Sequence, residues 1–128
     1  MTGGKFIIRH LTILAMLLLQ APLTYADGGP ERADFAYIKK VFNDGFYDLS
    51  QERLESFIKN YPQTQHLYQA HLLLGRSYYK QNNYSRALYE FQAILSSPAA
   101  AEFQDEALYW SGEIYTNNND FKSALEYY

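Results

Sequence analysis

Apolar residues recur at helical spacing through the middle of the chain, stop once, and start again. Ala70, Leu74 and Tyr78 stand at i, i+4 and i+8, which places them on one face of a helix running from about Gln65 to Gln81. Asn82 and Asn83 interrupt the pattern, and asparagine tolerates the left-handed backbone angles of a tight turn. A second apolar face follows in Ala87, Leu88, Phe91, Ile94 and Leu95, and Pro98 after Ser96-Ser97 ends it, because proline cannot continue the hydrogen-bond ladder. Leu54, Phe57, Ile58 and Tyr61 before Pro62 make the same statement earlier in the chain. Alternation of the strand type is nearly absent. The expected fold class is all-α.

The pattern repeats. Tyr47, Tyr84 and Phe121 each follow a short polar turn and are separated by 37 residues. Ser50, Ala87 and Ala124 keep that interval, as do Leu54, Phe91 and Tyr128, Ala70 and Ala107, and Gly75 and Gly112. Self-similarity at one period across several classes of position is the mark of a repeat architecture. Each unit reads as two helices joined by a turn, with units over about 32–62, 65–98 and 101–128, the last incomplete. Gly75 needs a reason, since a mid-helix glycine costs about 1 kcal/mol relative to alanine. Without a β-carbon it lets the paired helix approach closely, with Tyr84 and Phe91 filling the flanking space and Ala87 as the complementary small residue. Large and small side chains interlock.

HLLLGRSY followed by YSRALYEF resembles the tetratricopeptide repeat, whose pattern is W-x-x-L-G-x-x-Y, then A-x-x-x-F, then P. The matching residues are Leu74, Gly75, Tyr78, Ala87, Phe91 and Pro98, with His71 in place of the leading Trp. The third unit aligns through Leu108, Ser111, Gly112, Tyr115, Ala124 and Tyr128; the first keeps Gly45, Tyr47 and Pro62 but has Ile38 where glycine is expected. The resemblance covers almost all of 32–128 and implies a superhelix of about three stacked helix pairs. The phrase FIKNYPQTQHLYQAHLLLGRSYY also resembles a bacterial envelope subgroup, which includes the periplasmic protein working with the Tol–Pal system and the repeat lipoprotein of the outer-membrane β-barrel assembly machinery. The absence of cysteine from the chain argues against a lipid-anchored member.

By register with that pattern, the first helices line a concave face that repeat proteins use for partners. The inward residues are then Phe35, Lys39 and Phe42, Leu72, Arg76, Tyr79 and Lys80, and Tyr109, Glu113 and Asn117. They mix aromatic and charged side chains, as recognition surfaces do. The structural repeat positions are Tyr47, Leu74, Gly75, Tyr78, Tyr84, Ala87, Phe91, Gly112, Tyr115, Phe121 and Ala124. The partners expected are proteins or peptides.

Composition narrows the functions. The chain has 128 residues, a net charge of −3 and no Cys; the charge argues against a nucleic-acid surface, and a cysteine metal site is impossible. Its 13 tyrosines read as amphipathic wedges, ring between helices and hydroxyl toward water. His66 and His71 are five apart, which is not the i, i+4 spacing of a helical metal pair. His71 falls on a packing position. Glu102, Asp105 and Glu106 stand at the start of a helix, where the dipole favours acids, and read as capping and solvation. No nucleophile motif or phosphate loop is visible, so no enzyme and no cofactor is expected.

Residues 1–26 differ from the rest. Lys5 and Arg9 precede the apolar run from Leu11 to Leu19, and Thr24 and Ala26 supply a small-x-small ending. That order is a secretory leader cleaved after Ala26, followed by a polar lead-in over 27–31. The run spans only about 14 Å as a helix, well short of a ~30 Å hydrocarbon core. A retained anchor is the second reading. The expected location is outside the cytoplasm, periplasmic in a Gram-negative cell, with no stable membrane span after cleavage. Two alternatives to a free-standing scaffold stay open: the repeats as the amino-terminal part of a larger envelope enzyme, such as one acting on peptidoglycan, or a module that self-associates through an uncapped edge at Tyr127 and Tyr128.

Overall fold

Three left-handed joints divide the chain. In the computed structural model, which describes residues 29–128, positive φ angles occur at Gly45 (85°), Asn82 (60°) and Asn119 (59°). These residues are separated by the repeat interval of 37. Around each, the backbone makes the same pair of bonds. The N–H groups of Gly45, Asn82 and Asn119 donate to the carbonyls of Phe42, Tyr79 and Thr116 at 2.9–3.0 Å, and those of Phe46, Asn83 and Asp120 reach back to Val41, Tyr78 and Tyr115 at 2.9–3.2 Å. This is the Schellman ending, which satisfies the last carbonyls of a helix while turning the chain. The turn expected at Asn82–Asn83 is thus one of three.

The helices these joints separate are α1 (Pro30–Asn43), α2 (Tyr47–Asn60), α3 (Leu67–Lys80), α4 (Tyr84–Leu95), α5 (Ala101–Asn117) and the short α6 (Phe121–Ala124). A 3₁₀ turn at Pro98–Ala100 leads into α5. No strand occurs among the described residues. The first unit starts slightly earlier than the sequence pattern placed it, because the fixed φ of Pro30 suits the opening turn of a helix. α3 starts at Leu67, two residues inside its expected limit, where Thr64 accepts from the His66 N–H at 3.0 Å and holds the chain in a turn. The leader over 1–26 lies outside the described residues. No described helix is long and apolar enough to cross a membrane.

Each helix packs on its neighbour in sequence, and the first helices of successive units also meet: α1 with α3, and α3 with α5. The second helices α2 and α4 hold no comparable contact. A double layer whose one side is drawn together and whose other side splays must curve, with α1, α3 and α5 inside.

The core follows the repeat. Ala70, Leu74, Tyr78, Ala87, Phe91 and Ile94 are buried, as are Leu54 and Phe57 in the first unit and Ala107, Ile114 and Ala124 in the third. The ring of Phe91 crosses Gly75 and takes up the space a β-carbon there would need. Tyr84 packs on Tyr79 with ring centroids 5.7 Å apart. Tyrosines act largely as wedges: the buried Tyr78 ring sends its hydroxyl to the Glu55 carboxylate, Tyr68 meets Ser97 at 2.7 Å, and Tyr61 donates to Asp34 at 3.2 Å. Desolvation, reinforced by the Glu55 bond, raises the Tyr78 hydroxyl above the ordinary tyrosine range. Tyr47 and Tyr84 are half-buried, whereas Phe121, their counterpart in the third unit, is exposed.

Candidate functional site on the inner face

The inner face is built around Arg76, in the middle of α3. Its guanidinium lies 4.8 Å from the ring centroid of Phe42 on α1 and 5.3 Å from that of Trp110 on α5. Its Nη1 donates to Glu106 at 3.1 Å, and the indole N–H of Trp110 donates to the same carboxylate at 3.2 Å. One side chain therefore ties all three units together. A planar guanidinium suits this role, because it can stack on rings and present a fork of donors at once. Its Nε is buried without a hydrogen-bond partner.

Aromatic residues continue the surface from that point. Tyr79 packs on Trp110 at 5.1 Å, and its hydroxyl accepts from Asn117 at 2.8 Å. Tyr109 meets Trp110 edge-on at 5.2 Å and Tyr128 at 6.5 Å, and Tyr128 donates to Glu113 at 2.7 Å. That bond keeps the Tyr128 hydroxyl protonated above its usual range. Lys39 lies over Phe35, its Nζ 5.3 Å from the centroid, and Lys80 is exposed at the end of α3.

The structure brings most of the expected inward residues together, but not all as surface. Phe35, Phe42 and Leu72 are 1%, 5% and 4% exposed and belong to the core. Phe35 stacks on His66 at 4.6 Å and tilts against Phe57 at 5.1 Å, and Phe42 lies under Arg76. They face inward and are then covered by the neighbouring unit. Tyr109, equivalent to Phe35 and Leu72 in the repeat, stays 48% exposed. The accessible set is Lys39, Arg76, Tyr79, Lys80, Tyr109, Glu113 and Asn117, joined by two residues that the register did not supply.

Those two are Trp110 and Glu106. Trp110 has Leu73 and Ala36 as its repeat equivalents, so alignment of the units gave it no aromatic precedent. The signal available was the Glu106–Trp110 spacing of one helical turn on a first helix. Glu106 is more than a solvated cap, since it reaches across to α3.

His71 has a partner too: its Nδ1 lies 2.7 Å from a Glu90 carboxylate oxygen, bridging α3 and α4, with both side chains largely buried. Burying a polar pair is tolerable only when each satisfies the other. Among the described residues no group of three or more His, Cys, Asp or Glu is placed to hold a metal ion.

Paired helices that repeat in register, with like contacts between successive units, define an α-solenoid. The sequence pattern of the tetratricopeptide repeat matches residues 42–105 and, overlapping them, 72–128, so the chain belongs to the tetratricopeptide repeat family. Repeats of this family generally mediate protein–protein interaction. No curated protein matches the chain.

Proposed function

We propose that this protein is a non-catalytic scaffold of the bacterial cell envelope that holds partner proteins or peptides along the inner face of α1, α3 and α5. The observation that carries the reading is the accessible row of aromatic and charged side chains centred on Arg76, Tyr79 and Tyr109, set on helices that the core fixes in place. Rings with polar edges make good anchors because they lose little conformational freedom on binding. The leader-like residues 1–26 support export across the inner membrane, and the resemblance to envelope repeat proteins supports the same compartment.

A photo-crosslinking residue at Tyr109, on the inner face, and another at Tyr89, 74% exposed on the second helix α4, test the reading in intact cells. Envelope proteins captured at Tyr109 and not at Tyr89 are expected. Equal capture at both positions, or capture of cytoplasmic proteins only, would overturn it.

A further inference from the structure

Arg76 makes a crossing that the repeat does not require. Lys39, its equivalent one period earlier, lies over Phe35 on its own helix. Arg76 instead leaves α3 in both directions, over Phe42 of α1 at 4.8 Å and over Trp110 of α5 at 5.3 Å. Glu106 of α5 takes the bond from its Nη1 at 3.1 Å.

Two features make the crossing releasable. The ion pair is partly wet, with 28% of the Arg76 side chain and 45% of that of Glu106 exposed, so dissolved salt screens it. The Arg76 Nε is buried without a hydrogen-bond partner, and a donor in that state carries a cost that it sheds on reaching water. Stacking on two rings and the bond to Glu106 offset that cost while the guanidinium stays in place. The seams behind it are of another kind. Leu54, Phe57, Leu74, Phe91 and Ile94 are exposed by 3% or less and hold the helices together without charge. α2 and α4 hold no comparable contact, which leaves the outer side room to close as the inner side opens.

We infer that Arg76 is a releasable strap that sets the width of the inner face. Engaged, it draws α1 and α5 toward α3. Released, the units rock apart on their apolar seams and the face widens. The strap concerns the shape of the molecule and is independent of what the inner face binds.

The chain has no cysteine, so spin labels on two introduced cysteines report a single distance. Ala36→Cys on α1 with Asp105→Cys on α5 spans the three units, and Ala36→Cys with Glu52→Cys on α2 is a control within the first. All these positions are exposed. Pulsed dipolar electron resonance on the full chain reads both pairs at about 0.1 M and about 1 M salt, between which the screening length falls from about 10 Å to about 3 Å. Raised salt should shift part of the 36–105 distribution to longer distance and leave the control in place. Arg76→Ala should give the longer distance at both salt concentrations. Glu106→Gln, which keeps the stack, should give a smaller shift in the same direction at low salt. Circular dichroism checks that the variants are folded, and Glu106→Gln carries the test if Arg76→Ala is not. A 36–105 distance that ignores salt, that stays the same in the folded variants, or that moves only together with the control pair would sink the strap.

Discussion

The Phe91 ring occupies the space that a β-carbon on Gly75 would need: such a carbon would lie 2.5 Å from Phe91 Cε1. One repeat later the relationship returns, with Gly112 beneath the ring of Tyr128 at 2.9 Å. In the first unit the same two positions hold Ile38 and Leu54, both buried. A glycine faces an aromatic ring twice, and two aliphatic side chains of middle size meet once. The volume between paired helices is thus held roughly constant while its division between them changes, as close packing requires.

The two glycines should nevertheless respond differently to substitution. Phe91 is fully buried and its ring has nowhere to move, so Gly75→Leu should cost about 1–3 kcal/mol from overpacking. At Gly112 a β-carbon would meet only the far end of the Tyr128 ring, which can give way. Gly112→Ala should therefore be neutral or gain up to about 1 kcal/mol from helix propensity. Thermal melts followed by circular dichroism measure both, and equal losses at the two positions would contradict the packing described.

Arg76→Lys tests the tie across three units. A lysine keeps the charge but cannot stack on Phe42 and Trp110 while forking to Glu106. The loss should be about 1 kcal/mol, with a change in Trp110 emission because the indole loses its neighbour. Urea denaturation of the variant checks this; a midpoint equal to that of the parent would show the stack to be decorative.

Asp120 caps α6, accepting from the Ser123 N–H at 3.1 Å and from its hydroxyl at 2.7 Å. The Ser123 hydroxyl bond, then the backbone bond, hold the Asp120 carboxyl below its ordinary value. A depressed carboxyl stabilises the fold above its unfolded value, near pH 3.9, and the contribution fades as pH falls through the folded value. Asp120→Ala should accordingly weaken the segment after Asn119 at neutral pH and by progressively less as the pH falls below the ordinary carboxylate range. Amide hydrogen exchange at Ser123 and Ala124, compared at neutral and acid pH, reads the effect locally.

The Tyr78 hydroxyl is raised by burial first and by its bond to Glu55 second, with Arg86 opposing both. For a phenol held protonated, the stabilisation is present below about pH 10 and is lost as pH climbs through the folded value. Tyr78→Phe should cost about 1 kcal/mol at neutral pH. The variant should then lose less stability than the parent between mildly and strongly alkaline pH, a difference that denaturation midpoints across that range will show.

The repeat and its core were legible because they are carried by residue type at fixed spacing. Tyr47, Tyr84 and Phe121 marked the period, and Gly75 announced a close approach that Phe91 makes. Asn82 announced a left-handed joint. The inner face was only half legible. Register says which way a side chain points and not what covers it, so Phe35, Phe42 and Leu72 were placed on a surface that the neighbouring unit closes over. Trp110 and Glu106 owe their place to Arg76, more than thirty positions earlier in the first case and thirty in the second, and neither spacing leaves a trace in the period. Contacts unique to one junction leave no mark on a pattern of recurrence.

The three matching joints at Gly45, Asn82 and Asn119 give the architecture a genetic consequence. A segment one period long, cut outside the joints, contains one complete hinge together with the pair of packing residues needed at its seam. Duplication of such a segment in a gene would bring its own corner with it. Lengthening by copying therefore demands no fresh turn chemistry, and the inner wall could acquire novel side chains while its masonry stays the same.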